Sequence, residues 1–219
     1  MRFSFPITKD VMVAFSVPLL TADMPDAATV NAALAARIAA ARIAGTGRQD
    51  AGTGGWTSAR DLWDWPGDDV AALRGWMHRA VLMVAGLSAE ETDPGKVDVQ
   101  YRTVAWAGIN GPGDHDGRHS HPRFDWALVY FVATGIPDPG RPLAGQLELY
   151  DPRRLADLSA LHGFGFGRSV AVDPSPGKLV LFPAWMEHCF HPWSGSGESV
   201  SVRALVKVTG GRHSGLGRG

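Results

Sequence analysis

The sequence lacks several features that would assign it to common protein classes. It has a single cysteine, Cys189, so no disulfide forms within the chain, and we expect a reducing, cytoplasmic setting. No apolar run reaches the roughly 18 residues of a membrane-spanning helix, so we expect no membrane partner. Neither charge predominates: 21 basic and 22 acidic residues leave a formal net charge of −1, which argues against a nucleic-acid partner.

Glycine, proline and tryptophan are plentiful. The 219 residues include 27 glycines and 15 prolines, which favour short elements joined by turns. Eight tryptophans indicate a core or pocket walled by large rings. The length predicts one domain, residues 1–219. A domain of this size without nucleic-acid or membrane-binding features favours a small-molecule partner. Whether the chain forms a homodimer stays open at this stage.

Apolar residues recur at helical spacing in two segments of the first half. Residues 25–45 and 68–87 therefore predict two helices, and a glycine-rich loop, "GTGRQDAGTGG", lies between them. From Lys96 onward the chain consists of short β-rich runs separated by Gly, Pro, Ser and Asp. This pattern predicts a mostly β fold, a sandwich or barrel of jelly-roll type with flanking helices.

The chain is predicted to divide into three parts within one domain. Residues 1–95 would supply strands and the two supporting helices, and residues 96–208 the jelly-roll core. Residues 210–219, "GGRHSGLGRG", would form a flexible tail.

The segment "GDHDGRHSHPRFDW", residues 113–126, gathers three histidines and three aspartates. In an extended strand His119 and His121 point to the same side, about 7 Å apart. Two converging imidazoles suit a transition metal, although a solvated loop rich in His and Asp is the alternative. His188 follows the apolar strand of "PGKLVLFPAWMEH", and a returning strand pair would bring it to the other two. We therefore predict a metal site at these three residues.

The kind of metal is open at this level. Imidazoles suit iron, zinc, copper and nickel, and the usual oxygenase set is two histidines and a carboxylate on Fe(II). His121 occupies the position where that carboxylate is expected, and Asp125 is the nearest carboxylate beyond it. His191 is a weaker candidate, because Pro192 and the following "SGSG" predict exposure to solvent.

An arginine interrupts the apolar final strand, "ESVSVRALVKV". Arg203 would need an anionic partner if it were buried, because an unpaired buried charge is costly. It is therefore a candidate for gripping a carboxylate in bidentate fashion, with Ser201 on the same face as a further donor. The alternative is an edge-strand arginine that faces solvent.

Six segments together resemble a known family: "GGWTSARDLWDW", "WAGINGPGDHDGRHSHP", "ALVYFV", "YDPRR", "PGKLVLFPAWMEH" and "SVSV". In this order they are similar to the 2-oxoglutarate/Fe(II)-dependent oxygenases with GW-x-S, H-x-H-P and F-P-x-W-x-x-H motifs. The resemblance runs from about Trp56 to Val208. It implies a double-stranded β-helix in which His119 and His188 hold iron, His121 takes the second motif position, and 2-oxoglutarate chelates the metal.

The resemblance implies an enzyme that uses Fe(II), 2-oxoglutarate and O2 to oxidise, most simply to hydroxylate, a C–H bond of its substrate. The domain size and the lack of macromolecule-binding features favour a small-molecule substrate such as an amino acid or natural-product intermediate. Family members tend to begin the last strand with an arginine, where this chain has Ser199 and offers Arg203 instead. Arg203, with Ser201, is then the expected 2-oxoglutarate anchor. The expected pocket residues are Trp106, Asn110, Asp125, Trp126 and Trp185.

Two other interpretations use the same residues. The pattern of Gly113, His119, His121 and Asp125 also resembles the metal motif of cupins, with Asp125 as a fourth ligand. That would imply a metal-dependent isomerase or a dioxygenase that needs no 2-oxoglutarate. The third interpretation is a non-catalytic small-molecule binding module whose histidines are structural.

Overall fold

The computed structural model describes residues 17–50, 53–88, 97–153 and 169–213. Two helices, a seven-stranded sheet and a four-stranded sheet are stacked in that order, with one apolar core between each pair of layers. The prediction of a mostly β fold with flanking helices is confirmed. Within these ranges no helix is both long enough and apolar enough to cross a membrane.

The two helices lie where the apolar spacing predicts them. Helix α1 is Ala27–Ile43 and helix α2 is Asp68–Ser88. Leu34 and Ile38 of α1 are fully buried, one turn apart, as expected for the inner face of an amphipathic helix. The two helices are joined by an ion pair in which Arg37 Nε donates to Asp69 Oδ2 at 3.0 Å.

Thirteen strands are present among the described residues. They are β1 (Leu20–Asp23), β2 (Gly47–Asp50), β3 (Gly54–Ser58), β4 (Val97–Asn110), β5 (Asp116–His119), β6 (Trp126–Ala133), β7 (Ile136–Pro137), β8 (Leu147–Tyr150), β9 (Ser169–Val172), β10 (Lys178–Pro183), β11 (His188–Phe190), β12 (Gly195–Ser196) and β13 (Ser199–His213).

The larger sheet has the order β1-β10-β6-β13-β4-β3-β2, and all its neighbouring strands are antiparallel. Side chains alternate between its two faces, as the pleat requires. Along β13, Val202, Ala204 and Val206 pack against the helices, while Leu205 joins the core under the smaller sheet. Arg203 shares the face of Leu205, so the fold turns this guanidinium into the space between the two sheets.

The smaller sheet has the order β5-β11-β8-β9. Its inner face supplies Leu147, Leu149 and Phe190 to the second apolar core, opposite Phe131 and Phe182 of the larger sheet. Strand β11 lies between β5 and β8. Because side chains alternate along a strand, neighbouring residues of β11 face either the space between the two sheets or the outer surface.

Two segments differ from the sequence-based expectations. The glycine-rich segment expected to be a loop contains β2 and β3, which pair as an antiparallel hairpin with Arg48 opposite Thr57. Strand β13 extends to His213 and pairs with the start of β4, so the first four residues of the expected tail lie in a strand. Residues 1–16, within the part expected to supply N-terminal strands, and residues 214–219 of the expected tail lie outside the described residues.

Candidate metal centre and the adjoining cavity

The three motif histidines are brought together by strand pairing. His119 ends β5 and His188 begins β11, and the two residues are direct partners in the antiparallel register. His121 follows in the next loop, where its backbone N–H donates to the carbonyl oxygen of Ala184 at 2.7 Å. The loop after β10 therefore fixes His121 beside the other two histidines.

The imidazole rings form a compact group. Their potential ligand atoms all lie within 4.8 Å of one another. The centroid of the His119 ring is 4.3 Å from that of His188 and 4.9 Å from that of His121. Three nitrogens at this separation can reach a common ion with small side-chain adjustments, since metal–imidazole bonds are about 2.0–2.1 Å long.

Backbone carbonyls set the tautomers of two of these rings. His119 Nδ1–H donates to Gly117 O at 2.7 Å, and His188 Nδ1–H donates to Met186 O at 2.9 Å. Each Nε2 is then the lone-pair nitrogen, and neither has a hydrogen-bond partner among the described residues. Metal-binding histidines typically donate their other ring nitrogen in this way.

Burial keeps two of the rings neutral. It lowers the pKa of His188 to about 4, although the carbonyl of Met186 opposes the shift. Burial likewise lowers the pKa of His121 to about 4, with further lowering from the charges of His119, Arg60 and Arg203. Only neutral imidazole binds a metal, so His121 and His188 are in the required form at neutral pH.

These observations fit a transition metal such as iron. Three imidazole donors suit Fe, Zn, Cu and Ni rather than Mg or Ca, and three protein ligands leave coordination positions open. Among the described residues no carboxylate belongs to this group of ligands, and Asp125 is engaged elsewhere. Its Oδ2 accepts from the backbone N–H of Val208 at 2.7 Å and its Oδ1 from Lys207 Nζ at 3.0 Å. The cupin interpretation, with Asp125 as fourth ligand, has no support in this geometry.

Arg203 lies next to the histidines with its side chain only 11% exposed. Its Nη2 is 2.7 Å from Asp116 Oδ2, yet that contact lacks hydrogen-bond geometry, and both Asp116 Oδ2 and Arg203 Nε are buried without a hydrogen-bond partner. Its guanidinium lies 4.6 Å from the Phe190 ring centroid. A half-satisfied buried guanidinium of this kind is suited to a carboxylate ligand, which would supply the missing acceptors.

Gly108 makes room for this guanidinium. A Cβ at Gly108 would lie 3.1 Å from Arg203 Nη2 and 3.2 Å from its Cζ. Any side chain at this position would push the guanidinium aside. The absence of a side chain on β4 is therefore part of how the fold accommodates Arg203.

A cavity of about 840 Å³ opens beside the histidines. Its wall includes His119, His121 and Arg203, and the rest is formed by hairpin β2–β3, the loop after β3, and parts of β4 and β5. A volume of this size accommodates a small-molecule ligand together with a co-substrate.

Two of the five predicted pocket residues line this cavity, Trp106 and Asn110. Trp106 also contacts the metal centre, since its ring lies edge-on to His121 with centroids 6.4 Å apart. Ser201 is buried on the expected strand, opposite Gly108, but does not line the cavity.

The other three predicted pocket residues lie elsewhere. Asp125 accepts hydrogen bonds from Lys207 and from the backbone of β13, as described above. Trp126 packs against the core on the helix side of the larger sheet, because the alternation of β6 turns it away from the second core. Trp185 is 46% exposed in the loop after β10, beyond the strand that would have directed it inward.

The GW-x-S segment supports the cavity wall. Trp56 is buried in the helix-side core, and Ser58 Oγ accepts from the backbone N–H of Ala107 at 3.0 Å. Gly55 has a φ of 56°, and a Cβ there would lie 2.7 Å from Asn110 Oδ1. The glycine thus lets hairpin β2–β3 approach β4 closely at the cavity.

A second group of potential metal ligands lies on the outer face of the smaller sheet, and the sequence reasoning did not identify it. Glu148, Cys189 and His191 have potential ligand atoms within 4.8 Å of one another. His191 Nε2–H donates to Glu148 Oε2 at 2.7 Å, as does the Tyr150 hydroxyl, and Ser169 donates to Oε1. His191 is half-buried rather than solvated. The pairing of β8 with β11 creates this group, and no spacing in the sequence signals it.

Sequence comparison matches residues 104–204 to the family described as "Putative 2OG-Fe(II) oxygenase". This match spans β4 to β13 and includes all three histidines and Arg203. The search of curated proteins found no match.

Solved structures with the same fold include a prolyl-4-hydroxylase from Pseudomonas putida, 17% identical, with a TM-score of 0.59 over 88% of this chain and 94% of that one. The α-ketoglutarate-dependent epimerase SnoN from nogalamycin biosynthesis is 14% identical, with a TM-score of 0.59 over 91% and 83%. A prolyl hydroxylase from Trichoplax adhaerens is 13% identical, with a TM-score of 0.58 over 86% and 83%. These similarities establish the fold.

The predicted double-stranded β-helix is thereby confirmed. Residues 104–204 thus resemble a 2OG-Fe(II) oxygenase family, and the solved structures share the fold of such oxygenases. The family that the match names uses Fe(II), 2-oxoglutarate and O2, and the group of three histidines lies within the matched residues.

Proposed function

We propose that the protein is an Fe(II)/2-oxoglutarate-dependent dioxygenase that oxidises a C–H bond of a small molecule. The observation that carries the proposal is the group of three imidazoles at the wall of a large cavity, two of them with free Nε2 atoms. A structural histidine would use its ring nitrogens in hydrogen bonds, and these two rings use only one each.

His119, His121 and His188 would hold the metal. When bound, Fe(II) with 2-oxoglutarate and O2 supplies oxidation of a C–H bond, coupled to decarboxylation of 2-oxoglutarate to succinate and CO2. The carbonyls of Gly117 and Met186 keep two ligands in the correct tautomer, so little reorganisation is needed when the metal enters.

Arg203 would bind the distal carboxylate of 2-oxoglutarate. A second, smaller cavity adjoins the first and is lined by Arg203 together with all three histidines. This arrangement brings the anchor and the metal within reach of one small dicarboxylate. Asp116 holds the guanidinium in place until the carboxylate supplies the acceptors that Arg203 Nε lacks. Phe182, Phe190 and Leu205 form an apolar wall around this cavity and exclude water from it.

The cavity supports a small-molecule substrate. The solved structures include prolyl hydroxylases and an enzyme of nogalamycin biosynthesis at equal TM-scores, so the fold favours neither class. The concave shape favours the small molecule, because such sites bury most of their ligand's surface.

Formation of succinate from 2-oxoglutarate tests the proposal. The purified protein with Fe(II), ascorbate, 2-oxoglutarate and O2 should form succinate even without substrate, and His119→Ala should not. His78 of α2, which bonds Tyr101 on the far side of the molecule, offers a matched control, and His78→Ala should retain the activity. Metal-dependent oxidation that proceeds without 2-oxoglutarate would support the cupin-type alternative instead.

A further inference from the structure

The wall of the large cavity is strongly basic in a protein whose net charge is −1. Four arginines line it, Arg48, Arg60, Arg118 and Arg203, whereas Asp116 is the only lining carboxylate among the described residues. A concave surface with low-dielectric walls concentrates such a field and raises the local concentration of anions. The charge is therefore located where a substrate would enter.

Two of these arginines are already engaged. Arg203 contacts Asp116, as described above. Arg118 donates to Glu187 through Nε at 2.9 Å and stacks over the Tyr150 ring at 4.0 Å. Both guanidinium groups therefore already face a carboxylate, Asp116 for Arg203 and Glu187 for Arg118.

Arg48 and Arg60 differ from that pair, because neither has a hydrogen bond or a carboxylate partner among the described residues. Arg60 is nonetheless positioned: its guanidinium stacks on the Trp106 ring at 4.6 Å from the centroid. Stacking fixes the plane of the guanidinium and leaves its edge N–H donors free to bind an anion. Trp106 in turn contacts His121 edge-on, so a single indole separates this arginine from the metal centre.

We propose that the substrate carries a carboxylate or phosphate group and that Arg60, stacked on Trp106 and supported by Arg48 at the same wall, binds it. The inference rests on the proposed function and adds the substrate class. The anionic group would lie at Arg60 while the C–H bond to be oxidised points past Trp106 towards the histidines. Arg203 remains reserved for 2-oxoglutarate, so the two anionic groups occupy separate arginines.

Inorganic phosphate is a direct probe of this site. The test uses the protein loaded with Zn(II), as a diamagnetic replacement for Fe(II), and with 2-oxoglutarate, at constant ionic strength. The indole N–H signal of Trp106 lies next to Arg60 and reports binding in NMR titrations. We expect a saturable shift with phosphate and with acetate, and the stronger of the two indicates which group the substrate carries. Arg60→Gln should weaken the binding about tenfold, the loss typical of one charge-assisted contact.

Arg102 supplies the matched control, since it is an exposed strand arginine of β4 that does not line the cavity. Arg102→Gln should bind phosphate like the wild type. The proposal is overturned if the wild type shows no saturable shift, or if Arg60→Gln binds both anions as well as the wild type does. It is also overturned if Arg60→Gln weakens 2-oxoglutarate binding as much as Arg203→Gln does, because Arg60 would then be the co-substrate anchor.

Failure of the proposed function would give a different result. Absence of succinate formation, with phosphate binding at Arg60 intact, would remove the oxygenase assignment and leave the anion site in place. Normal succinate formation without anion binding would keep the oxygenase assignment and remove the anion site.

Discussion

Each face of strand β11 carries a group of potential metal ligands, and the two groups differ in how far their ligand atoms are hydrogen-bonded. His188 faces the interior with His119 and His121, while its neighbour Cys189 faces outward with Glu148 and His191. Both groups bring potential ligand atoms within 4.8 Å of one another. In the inner group the Nε2 atoms of His119 and His188 have no hydrogen-bond partner in the described part of the chain, whereas the outer carboxylate accepts from His191, Tyr150 and Ser169.

Close spacing of potential ligand atoms alone therefore does not identify a metal site. The outer group satisfies its polar atoms internally, and the hydrogen bond from Ser169 is the largest cause that lowers the pKa of Glu148. A metal entering there would have to break these bonds. The inner group has ligand atoms that only an external partner can satisfy.

Loss of an inner ligand should have the largest effect. His188→Ala should remove stoichiometric iron and reduce succinate formation by about 100-fold or more, because two imidazoles do not hold the metal firmly. His191→Ala, three residues along the chain but in the outer group, should retain iron. Metal analysis and succinate assays on both variants check this, and equal iron loss in the two would end the distinction between the faces.

The co-substrate anchor should follow. Arg203→Gln should raise the KM for 2-oxoglutarate by about 10- to 100-fold, the range for losing a hydrogen bond to a charged group. Arg203→Lys should recover part of the loss, since lysine keeps the charge but not the fork. Initial rates at varied 2-oxoglutarate measure this, and an unchanged KM would move the anchor to another residue.

On the outer face the expected effect is on stability instead. Glu148→Ala leaves the donors of His191, Tyr150 and Ser169 without their acceptor, so the free energy of unfolding should fall by about 1–3 kcal/mol. Urea unfolding of the metal-free protein measures the change, and iron stoichiometry should stay at the wild-type level. Iron loss without a change in stability would show that the outer group serves the metal.

The inner group should also make the stability of the metal-free protein depend on pH. Because burial lowers the pKa of His188 to about 4, the unfolded chain binds more protons than the folded one between about pH 6.5 and pH 4. Stability of the metal-free protein is therefore complete above that window and declines as the pH falls through it, by up to about 1.4 kcal/mol per pH unit for this residue. His188→Ala should show a shallower decline in the same unfolding series.

Local patterns in the sequence account for most of the fold. The apolar spacing of residues 25–45 and 68–87 predicted both helices within a few residues of their observed ends. The hairpin of β2 and β3 was missed because glycines in "GTGRQDAGTGG" suggest a loop, whereas pairing with β4 stabilises them as strands. Tertiary contacts override local propensity in such cases.

At the site, the motif spacing singled out three histidines that the structure brings together and Arg203, which lines the same cavity; their roles as metal ligands and co-substrate anchor stay predictions. It could not identify Arg60 as a neighbour of the metal centre, since Arg60 comes from a different segment with no periodic relation to the motif. Asp116 lies on the same strand as His119, but its contact with Arg203 of β13 forms only once the two sheets have packed together. Trp126 was misplaced for a related reason: which face of β6 points to the metal depends on what covers each side of the sheet.

The residue pattern alone predicts both helices, most of the strands and the three histidines as potential metal ligands, because side-chain periodicity and motif spacing are local properties of the chain. The tertiary structure is needed to establish which of these ligand atoms lack hydrogen-bond partners, which arginines lack a carboxylate partner, and which face of β11 lines the cavity. Hydrogen bonds and ion pairs between distant segments settle those questions, and such pairings exist only once the two sheets have packed together.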